Sequence, residues 1–537
     1  MQFVVRKTSM HRRELLVAGL ILAALSLWIG VSFWRFDWDD CYITYRIAEN
    51  IANGKGWVYN QGERINGATS VLWTGLLAIG HVLRFHTADV AHFVALISLF
   101  ASGLLSWILV RPLLSIVAAS AAVLLSITHP RFLMSIGMES QLMLACALLA
   151  FLFSTQKRWR LLAIALGALI LTRPDGVLLA VILLGKYAWE DRRGWWRPAA
   201  YTGILVAPWF LFSRLYFGQL VPNTLAAKMA QGRSGNWQIH LPSPFSELPV
   251  FLKGAWLWWG ELYNPPLILL GLALVILGLV NKRLWSSVGG WIIAWGGTHL
   301  AAYSILNVPH YHWYYTPVWL AIAVSSGFGV DQIERLSRGA LRPWVHGSMI
   351  LALSLILYPH IALVVRMSTA PRIARDEAYR RVALWLKANT PREATIAAEE
   401  IGVVGYYSDR RIVDMTGIID PDGPRFIGRG DLGWWIEKRP QVVIVHDPMG
   451  PFEHAALRRT ELVDQYELWK EFNFEGYSDL LVFRLKALDG LRFESTTNAS
   501  GGQFELLVRR AERPQLELGR RALRKQQPRP LPEWARL

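Results

Sequence analysis

Apolar runs that approach or exceed the roughly 20 residues needed to cross a bilayer recur from Leu15 to Val365, separated by short polar loops. Runs at 15–34, 90–110, 113–128, 137–154, 160–173, 176–189, 198–216, 264–281, 284–304, 314–331 and 344–365 read as about eleven transmembrane helices. The loops RKTSMHRR (6–13), QKRWR (156–160), EDRRGWWR (190–197), NKR (281–283) and ERLSRGALR (334–342) concentrate Lys and Arg, which marks them as cytoplasmic. The alternation closes only if the shorter run Ser70–Leu83 does not cross. That run is assigned to a long outer loop, residues 35–89, as an interfacial or re-entrant helix.

Beyond residue 366 charged residues interrupt every apolar run. A helical period at 376–389 is followed by the strand-like runs TIAAEE (395–400), RRIVDM (410–415), QVVIVHD (441–447), DLLVFRL (479–485) and FELLVRR (504–510). The expected fold is a polytopic α-helical membrane protein, residues 1–366, with a C-terminal extracytoplasmic α/β domain, residues 367–510. Residues 511–537 read as a basic, Pro-containing, disordered tail. The location implied is a bacterial-type inner membrane, with the N-terminus cytoplasmic and the first run an uncleaved anchor.

Composition supports the lipid bilayer as solvent: 53% of the 537 residues are hydrophobic and 26 are Trp. The net charge of +16 lies mostly in the short loops and the tail, a distribution that reports topology rather than nucleic-acid binding. Two cysteines, Cys41 and Cys146, supply neither a disulfide framework nor a cysteine metal site.

This topology collects five polar stretches on the outer face: FDWDD (36–40) with its loop, GMESQ (137–141), TRPDG (172–176), YFGQLVPNTLAAK (216–228) and PHYHWYY (309–315). Ionisable groups at membrane depth are costly and mark functional cavities. Ile43, Ile47 and Ile51 recur every four residues and Gly54 follows, predicting a short amphipathic helix from Asp39 to Asn53. One aspartate at its start serves as an N-cap in the plainest reading, but a cap accounts for one of Asp37, Asp39 and Asp40. A remaining carboxylate is suited to act as a general base or to bind a divalent cation. Glu139 reads either as a helix-dipole acid or as a site residue, and Arg173 with Asp175 as a pair across a Pro-broken turn or as part of the cavity. Lys228, His310 and His312 are the cationic candidates for a phosphate, with snorkelling or interfacial packing as the plain alternative.

In order, DDCYITYRIAENIANGKGWVYNQGERINGATSVLW, GMES, TRPDG, YFGQLVPNTLAAK and GYYSDRRIVDMTGIID resemble the polyprenyl-phosphate-dependent glycosyltransferases of the GT-C superfamily, especially the mycobacterial terminal arabinofuranosyltransferase branch. The resemblance implies an outer-face cavity whose long first loop carries the catalytic acid. The family's acidic pair falls on Asp39 and Asp40, one of which is the base. Arg46, Glu63, Glu139, Arg173, Asp175, Asn223, Lys228, His310 and His312 are then substrate-binding expectations. The implied partners are a polyprenyl-phosphate-linked sugar, a cell-envelope acceptor and the bilayer. No cofactor is demanded, although Asp39 and Asp40 are the residues that would hold a divalent cation. The rival classes are a transporter or flippase of lipid-linked sugars, which calls for an inverted repeat and charges on both faces, and a glycan-binding membrane sensor.

Overall fold

The computed structural model describes residues 12–486 except 195, 240–242, 244, 338–341, 370–373 and 475–476. The expected strand at 504–510 and the tail at 511–537 lie outside the described residues. A helix stands at each predicted span, from Arg12–Phe33 and Thr87–Val110 through Ser140–Thr155, Trp159–Thr172 and Thr316–Leu336 to Arg342–Thr369. By length and composition three are sufficient to cross a membrane: Arg12–Phe33, Thr87–Val110 and the helix that includes Arg342–Thr369. A fourth is counted if Val250–Gly260 and Pro265–Val280, bent by 118°, form one broken span. The shorter apolar helices include Val71–Val82, the segment expected to stay in the outer loop.

The bundle is apolar outside as well as inside: Leu20 is 71% exposed and Leu215 76%, which suits lipid and not water. Glycines set its closest crossing. A Cβ on Gly278 would run into the Ser325 carbonyl, and one on Gly329 into the Leu274 carbonyl. Helices Pro265–Val280 and Thr316–Leu336 therefore approach backbone to backbone, as small residues permit in membrane bundles.

The C-terminal domain is a five-stranded sheet. Strands β1 (Thr395–Ala398), β2 (Arg411–Asp414), β3 (Val442–Asp447), β4 (Tyr466–Phe472) and β5 (Asp479–Leu485) lie in the order β2-β1-β3-β5-β4. β1 runs parallel to β2 and β3, whereas β5 is antiparallel to β3 and β4. Sequence periodicity missed β4, whose YELWKEF alternates irregularly; its register with β5 shifts between Leu468 and Lys470. Helices Ala374–Asn389 and Ile401–Ser408 cover one face, burying Tyr379, Val382, Leu386, Ile401 and Val404 against Ile396 and Ile444.

The helix expected in the first loop forms as Asp39–Ala52 and has two buried faces. Cys41, Tyr45 and Ala48 enter the core of the membrane bundle. Ile43 and Ile47 enter the core of the α/β domain. Spacings of three and four residues place each set along one stripe of the helix.

At the carboxyl end of β1 and β3, Glu399, His446 and Glu453 meet. His446 Nδ1 lies 2.5 Å from a Glu453 oxygen, and Tyr379 Oη pairs with His446 Nε2. Burial, reinforced by Glu453 and Glu400, pushes the Glu399 carboxyl up to about 8. Burial alone would lower His446, but the hydrogen bond and charge of Glu453 raise it to about 9.

Two outcomes follow from this packing. Ile47→Ala should cost about 2–4 kcal/mol, visible as faster amide exchange in both 39–52 and 374–389, whereas Leu20→Ala on the lipid-facing surface should change neither. Because Glu399 and His446 hold protons more tightly folded than unfolded, their stabilisation is present in full below their ordinary values, near pH 4 and 6.5. It is lost as pH rises through about 8 and 9. The thermal midpoint of region 374–485, read by proteolysis after heating with digestion at one common pH, should fall from pH 5 to pH 9. Glu399→Gln should flatten the lower part of that fall.

Candidate active site

The three aspartates of FDWDD have three different environments. Asp37 belongs to the membrane part: Tyr45 Oη donates to it at 2.7 Å and His92 Nε2 lies 3.2 Å away. Asp39 is buried and faces the other domain, accepting the backbone N–H of Gly402 at 2.8 Å and of Val403 at 2.6 Å. These are free donors in the first turn of helix Ile401–Ser408, so Asp39 satisfies the N-terminus of a helix far away in sequence.

Its own helix is capped otherwise than expected. The N-cap position is Trp38, and no side chain caps it. The expectation that Asp39 or Asp40 caps helix Asp39–Ala52 is thus corrected: both lie inside its first turn, and Asp39 caps its neighbour.

Asp40 is half-buried, and its carboxylate has no hydrogen bond or ion pair among the described residues. Burial raises its pKa, Lys228 and Arg375 oppose that, and Glu400 and Glu139 add to it. Lys228, on helix Asn223–Arg233, is 8% exposed and pairs with no carboxylate among the described residues; its Nζ rests 3.8 Å from the Tyr311 ring centroid. Asp40 and Lys228 thus lie close enough to interact electrostatically, and among the described residues neither is held in an ion pair.

Glu139, Arg173 and Asp175 form a neighbouring cluster. Arg173 bonds Glu139 and Asp175, each at 2.9 Å, and Tyr303 Oη donates to Asp175 at 2.6 Å. The guanidinium also lies over Tyr314, 5.0 Å from its centroid. This set ties three loops together at the edge of the pocket.

Three expected binding residues lie elsewhere and hold the domains together. Arg46 donates to the carbonyls of Tyr59 at 3.0 Å, Gly405 at 2.6 Å and Arg410 at 2.7 Å. Glu63 pairs with Arg411, and its neighbour Asn60 both donates to and accepts from the Ile412 backbone, at 2.9 and 3.0 Å. Asn223 donates to the carbonyls of Gly417, Ile418 and Asp420. None of these partners is visible in the sequence, since Arg46 and the Arg410 carbonyl it binds are 364 residues apart. His310 and His312 reach the site's surroundings, where burial lowers them to about 4 and about 3 and so disfavours their charged forms. His312 packs 5.3 Å from Trp38, ring to ring.

Two residues of the α/β domain face the same pocket and were not anticipated. Arg375 lies over Trp38, 4.9 Å from its centroid, and pairs with Glu400 at 3.3 Å and Asp376 at 2.9 Å. Their only sequence signal is an acidic pair, Glu399 and Glu400, directly before the Gly-rich run IGVVGYY. Among the described residues one group of three potential metal ligands occurs, Glu399, His446 and Glu453. His446 in that group is already bonded through both ring nitrogens. Asp39, bonded to two amides, is likewise already engaged.

This arrangement can take a proton at Asp40 and hold an anion at Lys228, where the first loop and the α/β domain meet. Residues 370–493 match the model of a domain of unknown function, DUF8728. Over 250 residues the chain is 28% identical to a terminal beta-(1->2)-arabinofuranosyltransferase of Mycobacterium tuberculosis, a match covering 40% of this chain and 38% of that protein's length. Among solved structures, apo ArnT from Cupriavidus metallidurans superposes with a TM-score of 0.54 at 13% identity, over 88% of this chain and 98% of that one. Its undecaprenyl-phosphate complex gives 0.52 at 15% identity, over 86% and 97%. The chain therefore has the fold of the ArnT structures and, over 250 residues, a likeness in sequence to a terminal arabinofuranosyltransferase, the branch its ordered motifs resemble.

Proposed function

We propose that the chain is a membrane glycosyltransferase that moves a sugar from a polyprenyl monophosphate carrier to a hydroxyl of a cell-envelope glycan, lipid or protein on the outer face. The observation that carries this is Asp40, a half-buried carboxylate without a partner, in one pocket with the unpaired buried cation Lys228. ArnT, which has the same architecture, has been solved with undecaprenyl phosphate bound, which favours a lipid phosphate as the donor's carrier. The arabinofuranosyltransferase named above favours a pentofuranose as the sugar.

The acceptor oxygen attacks the anomeric carbon as Asp40 takes its proton. The bond from that carbon to the phosphate oxygen breaks, and the polyprenyl phosphate leaves with the electron pair. Lys228 offsets the charge that grows on the leaving oxygen, and because it is buried that interaction is stronger than in water. Glu139, Arg173 and Asp175 hold the rim of the pocket in one geometry. Attack from the face opposite the phosphate inverts the anomeric centre, and each product molecule pairs with one released lipid phosphate.

Asp40→Asn should lower transfer by about 10²–10⁴-fold, the usual contribution of a general base, with the folded fraction unchanged. The assay is release of polyprenyl phosphate from a panel of polyprenyl-phosphate sugars by purified full-length protein. Activity within a few-fold of wild type, or a product that keeps the donor's anomeric configuration, would sink this reading.

A further inference from the structure

We propose that the α/β domain is a positioning element of the transfer site: helix Ile401–Ser408, by holding Asp39, fixes where Asp40 stands opposite Lys228. This rests on the reading of Asp40 as the base. The first turn of helix Asp39–Ala52 carries both aspartates and has no side-chain cap of its own. An uncapped first turn frays, because its leading N–H groups have no partners within the helix. Here the turn is held from outside. Asp39 is fixed by two amides of helix Ile401–Ser408, and Trp38, immediately before it, lies under Arg375.

The contact is built for close approach. A Cβ on Gly402 would run into the carbonyl of Asp39, and one on Gly405 into Tyr59 Oη. At the other end of the same helix Arg46 binds the Gly405 carbonyl at 2.6 Å, so an acid serves the helix N-terminus and a guanidinium its C-terminal part. Asp39 and Arg46 thus grip one short helix at two points and lock the two helices in register. Asp40 follows Asp39 by one residue, so any slip of this register moves the base relative to Lys228. A misplacement of about 1 Å is enough to cost about 100-fold in rate.

Gly402→Ala tests this from the soluble side without removing a polar group, and Asp39→Asn tests it from the loop side. Single turnover of a polyprenyl-phosphate sugar would be followed with the full chain in excess and its concentration varied, so that the limiting rate constant and the half-saturation for donor are both read. The expected result for both variants is a rate constant reduced roughly 100-fold, with amplitude and donor half-saturation unchanged and faster amide exchange at 39–44. A merely structural role would lower the amplitude and leave the rate constant alone, which would overturn the proposal. So would a wild-type rate constant in Asp39→Asn, the test that remains if Gly402→Ala does not fold. If Asp40→Asn retains activity, the assignment of the base fails first; if it is inactive while both clamp variants turn over normally, only the positioning role fails.

Discussion

Helix Asp39–Ala52 has no face to spare. One stripe belongs to the membrane bundle through Cys41, Tyr45 and Ala48, and another to the α/β domain through Ile43 and Ile47. Every polar group near it is therefore either satisfied or conspicuous. Asp37 is answered by Tyr45, Asp39 by two amides and Arg46 by three carbonyls, while the half-buried Asp40 carboxylate in the first turn has no such partner among the described residues. The chemistry attributed to this pocket depends on that contrast, since a base must be free to accept a proton and yet held in place.

The site has a division of labour between rigid and responsive groups. Glu139, Arg173, Asp175 and Tyr303 bond one another and make a fixed wall. Asp40 and Lys228 have no such partners, so their charges remain available to a ligand. Arg375 and Glu400 bring the soluble domain's charges to the same place. Lys228 faces the Asp40 carboxylate without an ion pair to hold it, so its charge can also meet the phosphate of a donor.

Much of this was legible in the sequence where the signal is local. Helices stand at the predicted spans because long apolar runs have few alternatives, and the Ile43 to Ile51 period gave the loop helix. The ordered motifs implied a fold that the ArnT structures share. Local patterns could not show which of three adjacent acids is spoken for, because the partners of Asp39 lie in helix Ile401–Ser408 and its cap lies at Trp38. The backbone partners of Arg46, Glu63 and Asn223 were hidden for the same reason: a polar side chain near a site looks the same in sequence whether it binds a ligand or a distant backbone group. β4 escaped because a charged, irregular edge strand lacks the period-two pattern that marks the others.

The two-faced helix also imposes an order on biosynthesis. The Asp39 contact joins residues 363 positions apart, so at ordinary translation speeds the loop is made about 20–70 s before its second partner exists. During that interval Ile43 and Ile47 face no core, and the turn bearing the acids has nothing to brace it. A chain truncated anywhere before the sheet is complete would hold the apolar helices and the motif residues yet lack an assembled pocket. Bracing of the acidic turn is thus timed by synthesis of the α/β domain, hundreds of residues after the turn itself.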